Sequence, residues 1–272
     1  MNNKFRLYKR CAEFYDDLYS GVKLSKKQLN QVRKGKKALF VKNVYKFDCS
    51  QPTNNWYIIR DRYYDIEEYS SKSTRKQIRK SLSVYEYKRI DQEEMLLKGY
   101  QVYLDGNARF KKKVKSTLTH AEYVEYIKKS GEEGHDFWGG YDRESGEMAM
   151  WEDIYIKGDM VVMSRKRLSH KFTKSNPTYG FNHEFTRYYL KEKGYKYINA
   201  GSRSFDGHSN VQNFLIEKLQ FRKAYCHVQL YFPQPFRTII ILLYPLIWIL
   251  QFIPHPLAVS LSKMILSSKV FL

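Results

Sequence analysis

Cysteine is scarce in this chain. The 272 residues include three, Cys11, Cys49 and Cys226, far apart and odd in number. With no Cys-x-x-Cys pair and no regular spacing, neither a disulfide framework nor a zinc knuckle organises the fold. Cys226 lies in a strand-like stretch and is expected to be a small core residue. The histidines lack ligand spacing too: His135, His170, His183 and His208 form no His-x-x-x-His. No metal is expected. No Ser-His-Asp order can be read, and Gly201-Ser202-Arg203-Ser204 is not a Gly-x-Ser-x-Gly elbow. The opening MNNKFRLYKRCAEFYDDLY has no apolar stretch of the kind a secretory signal needs, so a cytoplasmic start is expected. No internal repeat is visible.

What the chain has is positive charge. The formal net charge is +20, and residues 233–272 hold only Arg237, Lys263 and Lys269 with no carboxylate, leaving +17 on the rest. The basicity therefore belongs to the folded part. Such a surface attracts nucleic acid, anionic headgroups or phosphorylated ligands; a merely well-solvated lysine surface is the plain alternative. Hydrophobic residues make up 43% and aromatics 16%, enough for a full core.

Along the chain, LYKRCAEFYDDLY suggests a short helix, and LSKKQLNQVRKGKKALFVKN a charged stretch running over the surface. Trp56–Arg60 is the first clear strand. STRKQIRKSL is expected as a helix opened by Ser73 or Thr74, followed by a strand VYEYKRI. Asp91 should cap the helix starting QEEMLLKGYQVYL, and Thr119 the helix HAEYVEYIKKS, with Gly131 ending it. From His135 three strands follow, the second and third joined by Gly158-Asp159. The helix from Pro177 to Lys193 carries Phe181, Phe185, Tyr188 and Tyr189 on one face, with Gly194 just past its end. Then come strand, helix and strand to Phe232, giving the order β-β-β-α-β-α-β. The order in 56–104 weakly resembles that in 150–220, as two related halves would.

The tail differs. Thr238–Ile253 is apolar apart from Thr238 and Gln251, and would span about 24 Å as a helix at ~1.5 Å per residue. That is short of a bilayer, and Pro245 interrupts it. LAVSLSKMILSSKVFL then sets Leu257, Leu261, Met264 and Ile265 opposite Ser260, Lys263 and Ser267. A membrane-associating helical tail is expected, embedded or lying at the surface; a buried dimer helix is the alternative.

Between the strand ending at Ser202 and the next helix sits a polar elbow: Asn199, Ser202, Arg203, Ser204, Asp206, His208 and Asn210. Asn210 suits an N-cap for a helix whose Val211, Phe214, Leu215 and Leu219 face the sheet. Arg203, leaving a strand beside a helix start, is placed to grip phosphate or carboxylate, against the alternative of a surface salt bridge.

GYKYINAGSRS…NVQNFLIEKLQFRKAY resembles the closing strand–helix–strand of the GNAT-like acyl-CoA N-acyltransferase superfamily, nearest to its double-domain FemAB-type branch and proteins of envelope-polysaccharide loci. The matching positions are Gly201-Ser202-Arg203, Asn210, Phe214, Lys218 and Phe221. The helix from Pro177 through Gly194-Tyr195 also fits, and STRKQIRKSLSVYEYKRI is similar to a basic helix in the first half of those proteins. The resemblance covers roughly residues 56–232. It implies an α+β fold with a GNAT-like mixed sheet and flanking helices, open to a reading as two degenerate halves, with the apolar tail beyond. The expected divisions are 1–134, 135–232 and 233–272.

Two departures stand out. The turn before the long helix reads HKFTKSNPTYG, with one glycine at Gly180, where acetyltransferases carry a glycine-rich turn for the CoA pyrophosphate. Gln220 stands where glycine is usual at a helix end. The resemblance implies attack of an amine on an activated acyl group, with acyl-CoA or aminoacyl-tRNA as donor. Such a reaction needs a base and oxyanion donors. Candidate catalytic residues are Glu152 and Asp153, the paired carboxylates of one strand, and Tyr179 as proton donor; an outward strand face and helix packing are the plain alternatives. Candidate donor-binding residues are Ser202, Arg203 and Asn210. The implied partners are the acyl donor, tRNA in the aminoacyl case, a membrane lipid surface and a lipid-linked saccharide. The expected location is the cytoplasmic face of the cell membrane. A basic RNA- or membrane-surface-binding protein without catalysis is the alternative function.

Overall fold

Alternation and capping set most of the elements. The computed structural model describes residues 2–8, 10–108, 117–203, 209–234, 236 and 238. The expected membrane-associating tail lies outside the described residues, as do Ser204, Asp206 and His208 of the elbow. Among the described residues no helix is long and apolar enough to cross a membrane.

The chain forms two compact units, one drawn from residues 1–57, 202–209 and 224 onward, the other from 58–201 and 210–223. In the first unit, β1 (Phe5–Tyr8) and β2 (Cys11–Phe14) form an antiparallel hairpin where a short helix was expected. Four-residue runs with Arg10 in a positive φ of 64° turn the chain back before a helix can nucleate. The charged stretch that follows is no surface run. Ser25 and Gln28 close a capping box for α1 (Lys26–Gly35), and β3 (Phe40–Cys49) follows. α1 buries Leu29 and Val32 with Phe5, Ala12, Leu24, Ala38 and Val41.

In the second unit the strand order is β4 (Trp56–Arg60), β9 (Tyr197–Ser202), β8 (Met160–Leu168), β7 (Met148–Lys157), β6 (Asp136–Asp142) and β5 (Tyr85–Ile90). Strands β5 to β8 form an antiparallel meander, and β8 pairs with β9 in parallel. The sheet is therefore mixed, as expected. On one face α3 (Gln92–Ala108) and α4 (His120–Glu132) bury Met95, Val102, Tyr123 and Ile127 against Phe137 and Trp151. On the other, α5 (Pro177–Thr186) lays Phe181 and Phe185 on Trp138, and a π-helical turn, Arg187–Glu192, adds Tyr189. α2 (Lys72–Val84) packs beside α5 with Thr74, Ile78 and Ser81 inward.

Several helix boundaries differ from expectation. α2 is opened by Ser71, whose Oγ accepts from the Thr74 N–H at 3.3 Å, two residues before the nearer expected cap. α4 runs through Gly131 to Glu132, with Gly134 past its end. α6 (Ser209–Leu219) already contains Asn210, which is exposed. Its inward face is Gln212, Leu215 and Leu219, and Val211 is 60% exposed. The expected caps Asp91 and Thr119 hold, accepting from the Glu94 and Glu122 N–H groups at 2.7 and 3.3 Å.

Gln220 closes α6 with φ of 55°. The helix end is held from outside by the buried Arg60, whose Nη1 donates to the Leu219 carbonyl at 2.7 Å while Tyr64, Tyr69 and Phe221 surround the guanidinium. A cation at a helix C-terminus meets the negative end of its dipole. Because a non-glycine residue pays a steric cost in this conformation, Gln220→Gly is expected to raise unfolding free energy by about 1 kcal/mol, measured by urea titration.

Candidate active site

The parallel pair β8 and β9 begins in register, Met160 with Tyr197, Val161 with Ile198 and Val162 with Asn199, and then parts. Beyond Val162, β8 runs on to Leu168 with β7 beside it, still paired at Met150 and Leu168. On β9 the pairing with β8 ends at Asn199, and two residues on Gly201 adopts a φ of 103° and gives its N–H to the Asn199 Oδ1 at 2.8 Å. Only glycine takes that conformation readily. The carboxyl ends of two parallel strands thus open a wedge, the usual position of a ligand site in an α/β sheet.

The β8 wall of the wedge carries Ser164, Arg165, Lys166 and Arg167. Arg165 lies over the Tyr126 ring at 4.0 Å and Arg167 over the Tyr103 ring at 5.3 Å, on the α3–α4 face. Lys166 lies on the other face. Its Nζ sits 2.9 Å from the Glu152 carboxylate and 4.7 Å from the centre of the Phe181 ring. The lysine side chain is 25% exposed and the glutamate side chain 2%. Burial pushes the Glu152 pKa up, with Lys166 opposing and Asp153 adding to the rise.

Glu152 and Asp153 do not make a pair. Neighbours on a strand point to opposite faces. Asp153 is fully buried on the α3–α4 side, where it accepts from the Tyr126 hydroxyl and lies 2.6 Å from His135 Nδ1. Burial first, and then the Asp153 charge, push the Tyr126 pKa up.

Tyr179, in the first turn of α5, packs edge-on against Phe214 of α6 at 5.1 Å. Its hydroxyl has no hydrogen-bond partner among the described residues. Partial burial raises its pKa, so it is a phenol at neutral pH. The turn before it is a 3-10 helix, His170–Ser175, ending at Asn176 with φ of 54°. Pro177 has no N–H, and the Tyr179 N–H donates to the Asn176 carbonyl at 3.2 Å. The Pro177 carbonyl accepts from Tyr87 and Ser81 at 2.7 and 3.2 Å. A Cβ at Gly180 would lie 2.7 Å from Tyr87, so this glycine serves helix packing. These residues do not fit the amide cradle that holds a CoA pyrophosphate in the usual manner.

Ser202 and Arg203 belong to the first unit, and Asn210 to the second with Glu152, Asp153 and Tyr179. Ser202 is exposed, and Arg203 Nη1 donates to the Asn54 carbonyl at 2.8 Å. Among the described residues no group of three or more His, Cys, Asp or Glu is arranged to hold a metal. Cys226 is buried with its thiol pushed up to about 12, chiefly by desolvation, as an inert core residue would be.

The sequence reading missed Lys166. A regular two-residue hairpin at Gly158-Asp159 sets Glu152 opposite Arg165. A bulge at Ser164 moves the register by one and puts Lys166 there instead.

No family model and no curated protein matches the chain. Among solved structures, FemX matches with a TM-score of 0.58 and 12% identity, over 85% of this chain and 83% of that one. This is a GNAT-like fold of FemAB type. L-PGS from Bacillus licheniformis matches with a TM-score of 0.46 and 14% identity, over 79% of this chain and 75% of that one. A tandem GNAT protein from the clavulanic acid biosynthesis pathway matches at 0.43 and 10%, over 76% and 69%.

His183, on helix α5, is 4% exposed and meets the Tyr63 hydroxyl at Nε2, 3.3 Å away. Desolvation is the main cause of its lowered pKa. A depressed folded pKa gives stability that is complete above the unfolded value of about 6.5 and lost as pH falls through the folded value. Urea titrations at pH 7 and pH 5 are expected to show a stability loss that His183→Gln reduces.

Proposed function

We propose that this chain is an N-acyltransferase that moves an acyl or aminoacyl group onto an amine acceptor in the wedge between β8 and β9. The observation carrying this reading is the parting of β8 and β9 beside a lysine that a buried glutamate holds in place. The amine nitrogen attacks the acyl carbon, the new C–N bond forms, and the bond from that carbon to the donor oxygen or sulfur breaks. Lys166 stabilises the oxyanion of the tetrahedral intermediate, its charge made effective by the low-dielectric wall of Phe181. Tyr179, kept as a phenol by its raised pKa, gives its proton to the departing oxygen or sulfur and is reprotonated, through solvent, by the proton that the amine nitrogen loses. Glu152 is a positioning residue that acts through Lys166. Ser202, Arg203 and Asn210 are kept as proposed donor-binding residues, each within its own unit.

The turn before α5 favours an aminoacyl ester donor over acyl-CoA. FemX shares the fold over most of its length. For the acceptor we favour an amino sugar or lipid-linked envelope precursor, reached from the cytoplasmic face of the membrane. The apolar run Thr238–Ile253 supports that placement. The test is to supply labelled aminoacyl-tRNA or acyl-CoA with an amine acceptor and follow label into amide. Tyr179→Phe is expected to slow transfer about 100-fold; an unchanged rate excludes it as the proton donor.

A further inference from the structure

We propose that the outward face of α2 is a binding site for the phosphate backbone of a nucleic-acid strand. A cavity of about 570 Å³ lies along this helix, lined by Lys72, Lys76, Arg79, Lys80 and Ser83. Four of its five lining residues are cations and none is a carboxylate. Burial of Thr74, Ile78 and Ser81 fixes which side of the helix faces out. Arg79 is ion-paired with Glu67. Lys72, Lys76 and Lys80 are exposed and have no carboxylate partner among the described residues.

Spacing identifies the ligand. The three lysines recur at one-turn intervals and cover about 12 Å of helix axis. One strand of a duplex carries about three or four phosphates in that length. A single phosphate would engage one lysine or two and leave the row unused. A membrane surface is a poorer match, because the lining residues are four cations and a serine, with no large hydrophobic side chain to enter lipid. None of the large exposed hydrophobic side chains that would enter a bilayer belongs to α2 among the described residues. A row of phosphates laid along the helix meets the three lysines in turn. Such contacts position a strand and carry no sequence preference.

This binding face stands apart from the transfer reaction, since it is scored without acyl donor or amine. The experiment measures fluorescence anisotropy of a labelled RNA stem-loop with the full chain, across a salt series. Lys72→Gln/Lys76→Gln/Lys80→Gln is compared with Lys26→Gln/Lys27→Gln/Lys34→Gln on α1, which removes the same charge from another exposed helix. The α2 variant is expected to bind at least about tenfold more weakly at low salt and to lose about two units of the log–log salt slope. The α1 variant should lose less than about threefold. Equal losses in both variants, or no binding by the wild-type chain, overturn the proposal. So does α2-dependent binding to phosphatidylglycerol vesicles without α2-dependent binding to the stem-loop. Thermal melts check both variants, and Lys76→Gln alone carries the comparison if the triple variant melts early. A DNA duplex bound with the same α2 dependence supports the backbone assignment.

Discussion

Lys166→Met is expected to slow acyl transfer by two to three orders of magnitude and to lower stability by about 3 kcal/mol near neutral pH. Two effects are expected from one substitution because Lys166, proposed for the oxyanion, also pairs with Glu152. Without the ammonium 2.9 Å away, a fully buried carboxylate is left unpaired. Its pKa, already raised by burial, rises further. A carboxyl with a raised folded pKa favours the fold when protonated and loses that contribution as pH rises through the folded value. Lys166→Met should therefore recover stability between pH 8 and pH 5 relative to the wild type. Adding Glu152→Gln should restore most of the stability and none of the rate. Urea titration and a transfer assay on the same samples separate the two effects.

Asp153→Ala is expected to cost about 3 kcal/mol while leaving transfer per folded molecule unchanged. Removal of this carboxylate strands the Tyr126 hydroxyl and the His135 Nδ1 in a buried site. Its face of the sheet is the one covered by α3 and α4, opposite Lys166 and Phe181. A large fall in kcat with stability retained would assign Asp153 to the chemistry and contradict this division of labour.

Much of this fold can be read from local signals. The order from His135 onward holds because each strand is bounded by a turn and each helix shows its apolar face. Asp91 and Thr119 are legible because a cap is a short-range interaction. The first fifty residues are harder, since a four-residue strand such as Cys11–Phe14 makes sense only once β3 lies beside it. The candidate lysine, Lys166, is hidden by a different cause. A bulge at Ser164 depends on how two strands twist together, and the sequence of β8 alone offers three successive cations with nothing to choose among them. The glutamate–aspartate pair is misleading for a simpler reason: strand geometry sends the two side chains to opposite faces. Gln220 is accommodated by Arg60, a residue 160 positions away, which no reading of the helix end alone can supply.

Amide bonds are proposed to form in the wedge between β8 and β9 with Lys166 at the oxyanion. Single-turnover transfer from labelled aminoacyl-tRNA to an amine acceptor tests it most directly, comparing the wild-type chain with Lys166→Met/Glu152→Gln at equal folded fraction. Label is expected in hydroxylamine-stable amide with the wild type, at a rate at least about 100-fold higher than with the double variant. Equal rates for the two proteins, or no label from either aminoacyl-tRNA or acyl-CoA, would contradict it.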